Sequence, residues 1–303
     1  MEELAADPAP SARRLISAPV VVAVLVMVVW GATPILTRVA LEDMEPLVVA
    51  TSRTILAGLL AAPLLVRLGQ PLPRARTPRR LLAVSAAAGF VVFPLVYTIG
   101  QERTSGLHGV MILAALPIFT GLYAAAVARR RPSRGWLVGC VIALAGEVLL
   151  IGARGGGAGD ATLLGDLLVL AAALVVSAGY VAGALLPPRG VSSVAATFWG
   201  VVLGAIVLSP LAAALLARDG LPEAGWKAWA AVAVLAIATS VVGYIGWYWA
   251  LDRGGIARIS TVQFLQPLSG FALAVVVLGD SVTPVIAVGA AAILCGIVIA
   301  QRA

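Results

Sequence analysis

Charge is what this sequence has least of. Only 12% of its 303 residues are charged, 61% are hydrophobic, and the mean hydropathy is +1.04. A soluble domain is about half apolar and a quarter charged, so this chain lacks the polar surface to cover a water-soluble globule. Intrinsic disorder is excluded on the same ground, because it needs low hydrophobicity. One lysine, Lys227, stands among 21 basic residues, and His108 is the one histidine. A lone histidine cannot make a metal site without other ligands. The two cysteines, Cys140 and Cys295, lie in apolar runs and read as buried small residues, not as a disulfide or metal pair. No paired-aspartate motif, GxSxG elbow or phosphate loop is present. The segment GARGGGAGD at 152–160 is Gly-rich, but it lacks the P-loop lysine and reads as a flexible outside loop. No catalytic role, cofactor or metal is expected.

What is present is apolar sequence in long blocks. At roughly 20 residues per spanning helix, the chain can hold about ten. The blocks run over 19–41, 47–66, 80–100, 106–128, 135–152, 162–186, 193–217, 228–251, 256–278 and 284–300. The first is too long for a signal-peptide core and lacks a clear cleavage site, so residues 1–18 are read as a polar cytoplasmic tail. The net charge of +7 then reports topology and not nucleic acid. With the N-terminus inside, the inside segments hold Arg13, Arg14, Arg67, Arg74, Arg76, Arg79, Arg80, Arg129, Arg130, Arg131, Arg134, Arg189, Arg253, Arg258 and Arg302. The outside loops hold only Arg103, Arg154, Arg218 and Lys227. That asymmetry predicts both termini in the cytoplasm. The preference for arginine over lysine fits a GC-rich bacterial genome, hence a bacterial plasma membrane.

The chain also resembles itself. At a single offset Pro117 falls on Pro267, Gly139 on Gly289, Gly146 on Gly296 and Arg103 on Arg253. A repeat of five helices, an odd number, must enter the membrane upside down the second time. The basic loop RRRPSR after the fourth span and its uncharged-to-acidic counterpart GDSVTP after the ninth agree with that inversion. The expectation is an all-α membrane protein of ten transmembrane helices in two inverted five-helix repeats, 19–152 and 162–300. Inverted repeats that rock about a central site are a transporter signature.

Several stretches carry a family resemblance: VVWGATPILTRVAL, TSRTILAGLLAAPLL, ILAALPIFTGLYAAAV and STVQFLQPLSGFALAVVVLGDSVTPVIAVGAAAILCGIVI. In them the chain resembles the EamA branch of the drug/metabolite transporter superfamily, from about residue 20 to 300. The resemblance implies a ten-helix exporter of small metabolites or drugs, proton-linked or gradient-driven. Where the family often has an acidic residue before the proline of the ninth helix, this chain has Gln266. The turn after the fourth helix carries arginines, and the turn after the ninth carries Asp280, where the family often has glutamate. The implied partners are a small-molecule solute, the bilayer and protons. A membrane scaffold or lipid-flipping subunit working with a partner is the alternative.

Candidate pathway residues follow. Pro117 and Pro267 would free the carbonyls of Leu113 and Gln263 and kink two equivalent helices around a pathway. Tyr244, Trp247 and Tyr248 share a helical face, and Phe90, Phe93, Tyr97 and Gln101 offer another. Such faces could line a cavity for an aromatic or amphipathic solute, or form an interfacial belt. Trp30, Thr33 and Pro34 match a family segment, and Tyr180 does so more loosely. Gln263 and Gln266 offer neutral hydrogen-bonding groups, suited to a polar or zwitterionic solute or to interhelical bonds. Arg53, within a span, could bind a substrate carboxylate, pair with Glu42, Asp43 or Glu45, or snorkel to the interface. His108 and Glu147 are the candidates for proton coupling. Gly139, Ala143 and Gly146 beside Glu147, partly repeated by Gly289, Ala292 and Gly296, suit close helix packing.

Overall fold

Prolines and hydroxyls set where the helices begin. The computed structural model describes residues 17–104, 112–152, 162–278 and 284–303, and all regular structure among them is helical. In chain order the stretches are α1 (Ala18–Leu41), α2 (Pro46–Arg67), α3 (Arg76–Glu102), α4 (Leu116–Ala128), α5 (Arg134–Gly152), α6 (Leu163–Ala184), α7 (Ser193–Asp219), α8 (Trp226–Gly254), α9 (256–278) and α10 (Pro284–Arg302). Pro19, Pro46 and Pro284 stand in first turns, where the missing N–H costs nothing and the fixed φ already suits a helix. Thr162 and Ser192 cap α6 and α7, each hydroxyl accepting from the backbone N–H three residues on, at 3.1 Å.

Seven of these helices (α1, α2, α3, α6, α7, α8 and α10) are long and apolar enough to cross a membrane, and α4 is a shorter apolar helix. The outward surface is apolar as well: Ile206 and Val207 on α7 are 62% and 60% exposed. The chain is a multi-pass membrane protein. Cys140 is buried as expected, but Cys295 is exposed on α10, and both thiols are free. The apolar run that suggested burial for Cys295 reports contact with lipid, not with a protein core.

Regular helix fails near mid-depth, and the prolines explain most of the failures. Pro34 has no N–H for the carbonyl of Trp30, so α1 breaks at Ala32 and restarts with Thr33 and Pro34 in its first turn. Pro117 and Pro267 interrupt their helices as expected, but the break falls one turn earlier. A turn at Ala114–Ala115 precedes α4, and a 3-10 segment, Thr261–Phe264, divides α9. Each proline then sits in the first turn of the helix that resumes, where its ring meets no preceding carbonyl. Two further irregularities are π-helical, Ala87–Val92 in α3 and Leu235–Gly243 in α8.

Helices α1, α3, α4, α6, α8 and α9 surround the centre. α3 packs on α6 and α8 on α1, while α4 packs on α6 and α9 on α1. α2 pairs with α7, and α5 with α10. The α5–α10 seam uses the small-residue faces. A Cβ on Gly139 would stand 2.6 Å from the Gly296 carbonyl, and one on Gly146 would stand 2.7 Å from that of Gly289. At one end of the molecule Arg130, Arg131 and Arg258 gather beside the ends of α6 and α10. At the opposite end Asp43, Glu45, Asp219 and Glu223 gather.

Candidate functional site

A π-helical segment leaves carbonyls outside the regular ladder, and such segments recur at functional sites. In α8 the hydroxyls of Thr239 and Ser240 donate to the carbonyl of Leu235 at 2.6 and 2.9 Å. Their oxygens in turn accept from a single guanidinium nitrogen, Nη2 of Arg53, at 3.1 and 3.0 Å. The carbonyl of Thr239 accepts from the Trp30 indole N–H at 3.0 Å. The carbonyl of Trp30, freed by Pro34, accepts from Nε2 of Gln266 at 3.3 Å. The π segment of α3 plays the same part: the Gly89 carbonyl accepts from the Tyr244 hydroxyl at 3.3 Å. Helix irregularities on α1, α3 and α8 are thus tied together by polar groups at one depth.

Rings close around these bonds. Trp30 stacks on Tyr180, with centroids 5.4 Å apart and planes at 19°. Tyr244 meets Trp30 edge-on at 5.4 Å, and Trp247 lies 5.6 Å from Trp30 and 5.8 Å from Tyr180. Phe93 stacks on Tyr97 at 5.1 Å. Toward the arginine-rich end, Ser85 and Tyr248 share a hydrogen bond of 2.7 Å across α3 and α8. A cavity of about 30 Å³ remains at the centre, room for roughly two waters and too small for a metabolite. The site is contracted in this conformation.

Of the residues singled out from the sequence, Trp30, Thr33, Arg53, Tyr97, Tyr180, Tyr244 and Gln266 line this cavity. Phe93, Leu113, Leu116 and Thr239 complete it. Tyr97 and Tyr244 are buried, so neither belongs to an interfacial belt. Trp247 is buried against the rings of the lining. Pro267 lies beside Gln266 in a neighbouring space of about 60 Å³ between α1 and α9. Pro117 and Gln263 stand one layer back, where the Thr120 hydroxyl donates to Oε1 of Gln263 at 3.3 Å. Glu147 lies apart, fully buried on α5 with both carboxylate oxygens unpartnered among the described residues. His108 lies outside the described residues. The sequence reading missed Thr239 and Ser240, whose one visible signal is a hydroxyl pair inside an apolar run.

Arg53 is the one charged side chain at the centre among the described residues. It is 3% exposed, so it does not snorkel. Nor does it pair with the acidic residues before α2. Glu45 pairs with Arg218 at 3.1 Å, and Asp43 accepts from the Gly225 N–H at 2.9 Å. Arg53 also brings α2 into the lining beside α1, α3, α4, α6, α8 and α9. Among the described residues no carboxylate lines the cavity, and Nε and Nη1 of Arg53, with the hydroxyl of Tyr97, have no partner. A guanidinium is always charged. Burying it without a counter-ion costs several kcal/mol.

Comparison with known proteins places this geometry. The chain is 31% identical over 275 residues to the uncharacterised transporter YdeK of Bacillus subtilis, covering 89% of this chain and 92% of that protein. It is 27% identical to a probable terminal-alkyne amino-acid exporter of Streptantibioticus cattleyicolor, with 92% of each chain covered. A probable amino-acid metabolite efflux pump of Salmonella typhimurium is 27% identical, covering 91% of this chain and 92% of the pump. A solved crystal structure shares the fold with a TM-score of 0.76 at 19% identity, over 94% of this chain and 98% of the other. The description "EamA-like transporter family" matches twice, over residues 17–152 and again over 163–301. The chain therefore belongs to the EamA-like transporter family.

Proposed function

We propose that this transporter exports small carboxylate-bearing metabolites, amino-acid-like or aromatic, by alternating access. The observation that carries the reading is Arg53: a buried cation with two hydroxyl partners, two unpartnered donors and no carboxylate, beside an aromatic cavity. A substrate carboxylate would take the free donors in the bidentate manner that suits arginine. The rings of Trp30, Tyr180 and Tyr244 would face its apolar part. Two relatives whose names refer to amino-acid export support the same substrate class. A scaffold has no use for such a cavity, so solute transport is the better reading.

The mechanism rests on two inverted halves, 19–152 and 162–300, of five transmembrane helices each. Support comes from the double family match and from the paired irregularities. The π segments fall in α3 and α8, the third helix of each half, and the breaks before proline fall at α4 and α9, the fourth. Exchanging the halves also turns the α3–α6 contact into α8–α1 and the α4–α6 contact into α9–α1. In this reading the arginine-rich end faces the cytoplasm of a bacterium, with both termini there. The contracted cavity is one stage of the cycle, and opening toward either side enlarges it.

The test is uptake into proteoliposomes of a panel of amino acids, their uncharged amides and cationic drugs, with and without a proton gradient. The carboxylates are expected to move saturably and their amides to fail. Equal transport of acid and amide would remove Arg53 from recognition and sink the proposal.

A further inference from the structure

A much larger space than the central cavity opens at the arginine-rich end. It has a volume of about 540 Å³ and lies between the ends of α4 and α10 and the starts of α5 and α9. Its shape depends on one unusual turn. Arg129 adopts φ 52°, a left-handed conformation normally left to glycine. Arg129 N–H donates to the Ala126 carbonyl at 3.1 Å and Arg130 N–H to that of Ala125 at 3.0 Å, which closes the end of α4 with a reversal. Arg130 and Arg131 consequently line the space from one side. Arg258, in the first turn of α9, lines it from another, and its Nε is buried without a partner. Trp136 is fixed beside them, its indole N–H donating to the Ala257 carbonyl at 3.1 Å.

The chemistry of the lining is one-sided. Three guanidinium groups stand beside walls such as Val127, Leu185 and Ile256, and among the described residues no Asp or Glu side chain lines the space, though the last residue, Ala303, does. Among the described residues none of the three arginines is in an ion pair. A positive-inside loop needs arginines near the membrane surface, but it needs no apolar chamber between them. We propose that this chamber binds the headgroup of an anionic phospholipid from the adjoining leaflet, with the phosphate on Arg130, Arg131 and Arg258 and the glycerol and upper acyl carbons against the apolar wall. Basic pockets between membrane helices suit this ligand, because the bilayer supplies it at high local concentration. The site is distinct from the central cavity and does not depend on what that cavity carries. It spans the adjoining ends of α4 and α9, which pack on each other, so an occupant would clamp those two ends together.

The experiment is native mass spectrometry of the full chain in detergent, titrated with phosphatidylglycerol, with phosphatidylcholine of the same acyl chains, and with inorganic phosphate. Melting temperature is followed in parallel. Phosphatidylglycerol is expected to bind with a saturable first site and raise the melting temperature, while phosphatidylcholine and millimolar phosphate do neither. Arg258→Gln removes one of many inside arginines and leaves the loop after α4 and the overall charge asymmetry intact, and it should weaken the first site about 5-fold. Changing Arg130, Arg131 and Arg258 together to Gln should weaken it roughly 100-fold. Unchanged affinity in Arg258→Gln, or equal binding of both lipids, overturns the proposal. If inorganic phosphate alone reproduces the whole stabilisation, the site is for a soluble anion and the lipid assignment fails.

Discussion

Arg53 at the centre and Glu147 in the α5–α10 seam are the charged side chains buried among the described residues, at 3% and 0% exposure. Their surroundings share little else. Arg53 lies where helices are irregular. A π segment gives it Thr239 and Ser240, and a cavity lined by rings adjoins it. Glu147 lies on regular helix beside Gly146, where a Cβ would stand 2.7 Å from the Gly289 carbonyl of α10, and no side chain among the described residues bonds to it. Burial of a charge therefore does not by itself mark a transport site. Irregular backbone is the feature that sets Arg53 apart, because it releases carbonyls that must be satisfied and so gathers polar groups around a space.

The comparison breaks most easily at Arg53. Arg53→Gln keeps a hydrogen-bonding end but removes the charge and shortens the side chain, and should lower carboxylate transport roughly 100-fold, as expected for losing a buried charged contact. Arg53→Lys should recover only part, since an ammonium cannot fork. Initial rates in proteoliposomes, normalised to folded protein, would show it. Rates within a few-fold of the parent would mean the two buried charges are equally remote from transport.

At the seam, the next largest effect should fall on stability and not on transport. Gly296→Leu would drive a side chain into the α5 backbone, where a Cβ alone already stands 2.5 Å from the nitrogen of Ala143. Overpacking of this kind costs about 1–3 kcal/mol. A lower melting temperature with unchanged flux per folded molecule is expected, and a selective loss of flux would give the seam a part in the cycle.

This contrast explains what was legible in the sequence. The apolar blocks and the small-residue faces were readable because each is local. The glycines at 139, 146, 289 and 296 meet as their spacing suggests. Arg53 stood out because a cation in an apolar run is conspicuous. Its partners did not, because Thr239 lies 186 residues away in sequence and only packing joins them. The π segments, AAGFVV and LAIATSVVG, have the composition of ordinary membrane helix, so nothing local announces them. Cys295 was misread because lipid and protein core select the same apolar neighbours.

The hydroxyl pair sharpens the comparison from the side of the partners. Thr239→Val with Ser240→Ala leaves Arg53 in place and removes both acceptors of Nη2. Hydrogen bonds to charged groups contribute about 1.5–3 kcal/mol each, but a guanidinium free to move toward the bound carboxylate recovers part of that. Transport should fall about 10-fold, mainly as a raised KM, because the charge remains and only its aim is lost. A fall in maximal rate alone would point to the π segment as a moving part and not as a support.

Glu147→Gln should have the smallest effect, and it decides what the seam is for. The amide matches the carboxylate in size, so the close approach of α5 and α10 survives. The cavity lining contains no residue of α5, α7 or α10, so Glu147 has no direct contact with the carried solute. Flux is expected within about threefold of the parent, a range of less than 1 kcal/mol, with its response to an imposed proton gradient retained. The measurement is uptake at fixed substrate with the internal and external pH varied separately. If the variant still binds substrate and exchanges it but no longer responds to the gradient, a proton passes through Glu147 during the cycle. The seam would then open in every turnover, although its glycines hold the two helix backbones in close contact.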